Sequence, residues 1–241
     1  MRNVWILAKG VIKELFRRQD FYLIFALLLV IITYSGAISF GGETGFTRYF
    51  KEIGISLVYI FSVIIAVTFA GRQIPQEVEA KTIYPILAHP VSRSQFIAGK
   101  YLGVLIISVI SFTLYYAAFV ISILARKDFS TPWPLFVEGY ILQACLLSFF
   151  IALTILLSLF LSPTATIGIS IILYFASTWF GASIQGYIFL PHPELFDIKE
   201  KIIHTWDVVP VWVMSFLAAY AAAYTALFLG MACLAFRDRD L

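Results

Sequence analysis

The chain has 241 residues, 61% hydrophobic and 13% charged, with a mean hydropathy of +0.92. That leaves too little polar surface for a soluble domain of this size, so the composition reads as an integral membrane protein. A formal net charge of +3 is too small for a nucleic-acid binder.

Residues 3–18 begin the chain with helical amphipathicity. Val4, Leu7, Ala8, Val11 and Leu15 share one face, and Lys9, Lys13 and Arg17 lie opposite. The expectation is an interfacial helix within residues 1–20, its apolar face in lipid and its cations near headgroups. A basic stretch before an apolar one also has the outline of a secretory signal. Here the polar part is too long and patterned, and the apolar run exceeds a typical signal core, so the segment is expected to be retained.

Apolar runs of about 20 residues cross a bilayer. Six are predicted, at about 21–40, 53–71, 101–124, 139–161, 165–188 and 210–236. The first two are joined by a turn with a polar cap. Ser162-Pro163-Thr164 makes the turn between the fourth and fifth, because proline removes a backbone donor. Residues 189–209 form a longer polar loop with some helical character. With the N-terminus inside, the inner segments carry Arg2, Lys9, Lys13, Arg17, Arg18, Arg72, Lys81, Arg93, Lys100, Arg237 and Arg239. The outer loops carry Arg48, Lys51, Arg126, Lys127, Lys199 and Lys201. The excess of cations inside places both termini and residues 72–100 in the cytoplasm, and 189–209 outside.

No Asp, Glu, Lys, Arg or His falls inside a predicted span. That argues against a proton-driven transporter or pump and against intramembrane haem. His89, His192 and His204 all lie in loops, and no metal site is expected from them. Cys145 and Cys233 sit in apolar runs and read as small buried hydrophobes, with no zinc spacing around them. Ser148 and Ser158 lie in a span without an acid or base to activate them, so an intramembrane enzyme is not expected. Ala218, Ala222, Ala226 and Gly230 recur every four residues in span six. Small residues at that spacing let helices approach closely, either within the chain or between subunits. Tyr34, Tyr59, Tyr115, Tyr116, Tyr220 and Tyr224 could line a pathway or face headgroups.

The most informative stretch is 72–100, a charged island between two spans. Pro75 suits the first turn of a helix, and Glu77 and Glu79 would then sit near its positive end. Ile83, Ile86 and Leu87 form an apolar patch at i, i+3 and i+4. His89-Pro90 ends the helix, and Ser92 starts a fresh one leading into span three. A short, partly apolar helix held against a membrane suits docking into a partner's groove.

The pattern E-x-E-x-K-T-I-x-x-I-L-x-x-P-V-S-R-x-x-F-x-x-G-K over this island resembles the cytoplasmic loop of ATP-binding-cassette (ABC) type 2 transporter permeases. The matching residues are Glu77, Glu79, Lys81, Thr82, Leu87, Pro90, Ser92, Arg93, Gly99 and Lys100. Lys81 stands where that family usually has glycine, which alters local helix detail. The resemblance implies an all-α integral membrane fold, a single permease domain over 1–241 with six transmembrane helices after an amphipathic interfacial elbow. It implies a coupling loop at 72–100 and an external loop at 189–209.

The chain has no GxxxxGK[ST] motif, so ATP binding in the P-loop manner needs a separate ATPase subunit. By resemblance, two permease copies, identical or homologous, work with two ATPases in the cytoplasmic membrane. ATP-driven closure pushes the coupling helices together, for export or for force transmission to an external partner. Glu77, Glu79, Ile83, Ile86 and Leu87 would meet the ATPase. Arg93 and Lys100 would anchor the loop to headgroups and helix ends. No cofactor and no enzymatic activity of its own are expected. The competing expectation is a membrane-anchoring or assembly subunit of a redox or maturation complex, without ATP coupling. The residues do not select a substrate.

Overall fold

The computed structural model describes residues 2–16, 22, 26–27, 30–31, 43–79, 92–125, 130–180, 191–204 and 206–237. Among these every regular element is helical. They are α1 Arg2–Phe16, α2 Glu43–Glu79, α3 Arg93–Ala125, α4 Trp133–Ser158, α5 Pro163–Phe180, α6 Lys199–His204 and α7 Val211–Arg237, with a 3-10 turn at Pro193–Phe196. Four are long and apolar enough to cross a membrane: α2 from Arg48, α3, α4 and α7. They answer to predicted spans two, three, four and six. Predicted span five opens as α5, and its remainder, 181–188, lies outside the described residues. So does most of predicted span one, within which Tyr22, Ala26, Leu27, Val30 and Ile31 are helical.

Local chemistry sets the helix starts. Before α3, the Gln95 amide donates to Ser92 Oγ (3.2 Å) and the Ser92 amide donates to Gln95 Oε1 (3.3 Å), a reciprocal capping box. Pro163 occupies the first position of α5, where a missing N–H costs nothing. The Ala165 and Thr166 amides turn back to Ser162 Oγ and O.

Of the polar turn expected between spans one and two, the part described, from Glu43 on, is helical. Helix α2 begins at Glu43 and runs 37 residues to Glu79, with Pro75 inside it. Proline removes one amide and strands one carbonyl, which a packed membrane helix tolerates. At about 1.5 Å per residue α2 is roughly 55 Å long, well beyond a hydrocarbon core of about 30 Å. Lys51, expected in a loop, is therefore on a helix and only 2% exposed. Its ammonium donates to Ser130 Oγ (2.8 Å) and Thr131 Oγ1 (2.9 Å), and Thr131 Oγ1 in turn donates to the Ile202 carbonyl. This ties the start of α2 to the turn before α4 and to α6.

The core lies where α2, α3 and α4 meet, with α5 against α2 and α7 against α4. Phe112 stacks on Tyr140 at 5.2 Å, and Tyr59, Tyr116 and Phe119 continue the aromatic seam. Polar groups in the seam are paired. Tyr59 Oη donates to the Gly139 carbonyl and Tyr116 Oη to that of Phe136. Gln143 Nε2 reaches Ser62 Oγ (2.9 Å) and the Tyr59 carbonyl (3.3 Å). Tyr59, Tyr115 and Tyr116 are thus buried in protein and line no open pathway in this conformation. Tyr34 lies outside the described residues.

Helix α1 departs from expectation. Its helical extent matches, but Ala8 and Val11 are buried against α3 instead of facing lipid. Two glycines make the approach possible. A Cβ at Gly99 would lie 2.7 Å from Leu7 Cβ, and one at Gly103 would lie 2.6 Å from Val11 Cβ. Trp5 and Ile6 are the large apolar side chains that α1 exposes among those described.

Gly103→Ala should therefore force α1 off α3 and cost about 1–3 kcal/mol, the usual range for overpacking. Gly10→Ala, in the same contact's solvent- or lipid-facing half, meets nothing within 4 Å and should gain about 0.5–1 kcal/mol in helix propensity. Thermal unfolding in detergent measures both. A stability gain in Gly103→Ala would refute the docking.

Candidate functional site

The predicted site divides in the structure. Glu77 and Glu79 close α2, Arg93 and Lys100 open α3, and residues 80–91 between them lie outside the described residues. Ile83, Ile86 and Leu87 fall in that segment, so their expected grouping lies outside the described residues. The acidic pair does not sit near a helix N-terminus, as the position of Pro75 had implied. It occupies the last turn of α2, because the helix continues through the proline.

Glu77 and Lys100 form an ion pair, and Lys100 Nζ also donates to Gln73 Oε1 at 3.1 Å. Lys100 is 4% exposed and Gln73 3%, so the ammonium is held inside the protein between α2 and α3. Gln73 and Glu77 are four residues apart on one helix, hence on one face, and both turn towards α3. Glu79, two residues on, is exposed. One acid is committed to an internal cation and the other is presented outwards.

Arg93 reaches a helix end. Its Nη1 donates to the carbonyls of Phe236 (2.8 Å) and Arg237 (2.7 Å), the last turn of α7. Unpaired carbonyls gather at a helix C-terminus, where a cation also suits the dipole. Phe96, one turn after Arg93, stacks on Phe236 at 5.6 Å and 16°.

Reading by residue type gave no role to Gln73, Gly103 and Phe236, and held Phe96 only as a position in the loop pattern. Two signals were available: the i, i+4 pair Gln73/Glu77, and the small-x-x-x-small spacing of Gly99 and Gly103. That same spacing in α7 behaves differently. Ala218, Ala222, Ala226 and Gly230 are exposed, and a Cβ on Gly230 would meet nothing within 4 Å. Packing within the chain is carried instead by Leu217, Ala221, Phe228, Ala232 and Phe236.

The other candidate chemistry is dispersed. His192 Nδ1 lies 2.7 Å from Glu194 Oε1, while His204 Nε2 lies 3.3 Å from Arg48 Nη2 and its ring stacks on Trp206. Among the described residues no three His, Cys, Asp or Glu side chains gather as metal ligands. Ser148 and Ser158 hydroxyls donate to carbonyls of their own helix.

Residues 24–241 match the family model described as Protein of unknown function (DUF2705), and the chain belongs to that family. A probable ABC transporter permease protein, NosY of Pseudomonas aeruginosa, is 33% identical over 105 residues, 43% of this chain and 34% of that protein. The likeness thus spans about a third of the relative's length. Together with the apolar helices, it supports a multi-pass membrane protein.

Removing the cation tests the internal pair. Lys100→Met leaves Glu77 partly buried opposite an apolar chain. Full burial would cost about 3–5 kcal/mol, and because Glu77 is 19% exposed the expected loss is nearer about 2 kcal/mol. Adding Glu77→Leu should restore at least half of it. Unfolding by SDS titration in mixed micelles reads both variants. A Lys100→Met protein as stable as wild type would contradict the assignment.

Proposed function

We propose, for this member of a family of unknown function with partial likeness to a permease, that the chain is the transmembrane permease subunit of an ABC transporter. It couples ATP hydrolysis by a separate ATPase subunit to export or to force transmission across the membrane. The observation that carries the reading is the pairing of two helices too long for the bilayer, α2 and α3. They leave the hydrocarbon side by side, are tied by Lys100 to Gln73 and Glu77, and present Glu79 at the root of residues 80–91.

In this reading the fold is six transmembrane helices in one domain, with both termini and the 72–100 loop in the cytoplasm and 189–209 outside. Helix α1 is the interfacial elbow. It meets lipid through Trp5 and Ile6, with Lys9 and Lys13 at headgroup level, while its Ala8–Val11 stripe rests on α3. Two permease copies, identical or homologous, work with two ATPases in the cytoplasmic membrane. Glu79 meets basic or amide groups on the ATPase, and Ile83, Ile86 and Leu87 fill its groove. Glu77 acts from inside, fixing the geometry on which Glu79 and that patch are presented. Driving a two-state permease nearly to completion takes about 5 kcal/mol of differential binding, which ATP-driven closure of the partner supplies. The chemistry of hydrolysis stays in the partner, so the chain is no enzyme itself.

A pull-down from detergent-solubilised membranes tests this, with bound proteins identified by mass spectrometry. Wild type should retain a P-loop ATPase, and Glu79→Lys should retain at least about tenfold less, since a like-charge contact at an interface costs upwards of about 1.4 kcal/mol. Equal retention by both would remove Glu79 from the interface and leave the permease reading. No ATPase at all, under conditions that keep other membrane complexes intact, would favour the anchoring subunit without ATP coupling.

A further inference from the structure

The first three turns of α3 touch three other helices. Gly99 and Gly103 hold α1 on one side. On the adjoining stripe, Arg93, Phe96 and Lys100 are spaced by three and four residues and so share a face. That face runs from the end of α7 to the end of α2. At one extreme Arg93 grips the Phe236 and Arg237 carbonyls, with its Cζ 5.8 Å from the Phe236 ring. In the middle Phe96 stacks on Phe236, and the Lys100 ammonium lies 5.8 Å from the Phe96 ring. At the other extreme Lys100 holds Gln73 and Glu77.

The contacts form a continuous chain of charge-assisted hydrogen bonds and stacked rings from α2 to α7. A planar guanidinium that bonds two successive carbonyls also resists rotation in a way a single-point cation does not. Phe236 is fully buried, whereas Arg237 is exposed, so the grip falls where α7 leaves the packed interior.

We infer that Arg93 is a positioning residue that passes displacement of the α2–α3 root to the last turn of α7, making α7 a driven element and not a passive wall. The inference deepens the permease reading by naming which span follows the loop. The link itself lies within one chain and is testable without any ATPase.

The experiment is hydrogen–deuterium exchange on the full chain in lipid nanodiscs, reading the α7 peptide that contains 233–237 by mass spectrometry. Arg93→Ala should raise exchange there about tenfold, because the turn's carbonyls lose their clamp and the turn opens locally. Glu77→Gln, which weakens the hold of α2 on Lys100, should raise exchange at α7 several-fold when Arg93 is present, and should add nothing in the Arg93→Ala background. Arg93→Lys, which keeps a donor nitrogen but loses the planar guanidinium beside the Phe236 ring, should fall between wild type and Arg93→Ala, and it decides the matter if Arg93→Ala does not fold. A static cap predicts that Glu77→Gln leaves α7 unchanged in every background. That result, or an equal Glu77→Gln effect with and without Arg93, overturns the inference. Neither bears on whether an ATPase binds, which the pull-down decides separately.

Discussion

Hydrocarbon offers no hydrogen-bond partner, so every polar group carried into it must be satisfied by the protein. That constraint shapes the centre of this molecule. Gln143, Ser62 and Tyr59 close on one another and on the Gly139 carbonyl, joining α2 to α4. Tyr116 joins α3 to α4 through the Phe136 carbonyl. An interhelical hydrogen bond in a membrane is worth only about 0.6 kcal/mol on average. An amide left unpaired there costs several. The seam therefore contributes little net stability and strongly disfavours other registers of the three helices.

Close approach is the second consequence. Where helices must meet without a hydrophobic driving force, backbones come together at small residues. Gly54 lies under the Phe119 ring, Gly71 against Ile167, and Gly99 and Gly103 under α1. Each added Cβ would fall within 3 Å of a neighbouring side chain, a distance that something must yield to relieve. These glycines set how near α1, α3 and α5 come to the bundle. The Ala218–Gly230 ridge, with identical spacing, is exposed among the described residues, so spacing alone does not tell which small residues are used internally.

The sequence was most readable where one local rule dominated. Hydropathy placed α3, α4 and α7, and Ser92 marked the start of α3. The partial helicity of 189–209 appears as Pro193–Phe196 and α6. It was least readable where tertiary contacts override local preference. Pro75 reads as a helix beginning, yet it lies inside α2, because one missing amide is a small defect in a helix packed along its length. Lys51 reads as a loop cation until Ser130 and Thr131, far along the chain, are brought to it. The stripe of α1 reads as lipid-facing because periodicity says that a face is buried without saying against what. At the island, the motif residues were visible but their partners were not. Neither the reach of Lys100 back to α2 nor that of Arg93 across to α7 has a signature in local spacing.

The depth of the Glu77–Lys100 pair bears on what it can do. In the proposed permease, Lys100, which precedes the end of α3 at Ala125 by 25 residues or roughly 38 Å of helix, would stand at the edge of a hydrocarbon core of about 30 Å. Deeper in, parting the two charges would strand each without solvent, and the pair would be permanent. Fully in water it would be worth about 0–1 kcal/mol and would fix nothing. At the boundary it is strong enough to hold α2 and α3 together, while Glu77, 19% exposed, keeps a route to solvent if the helices separate. A contact of that intermediate strength can be broken and remade at the cost of a single binding event, as the proposed force transmission requires.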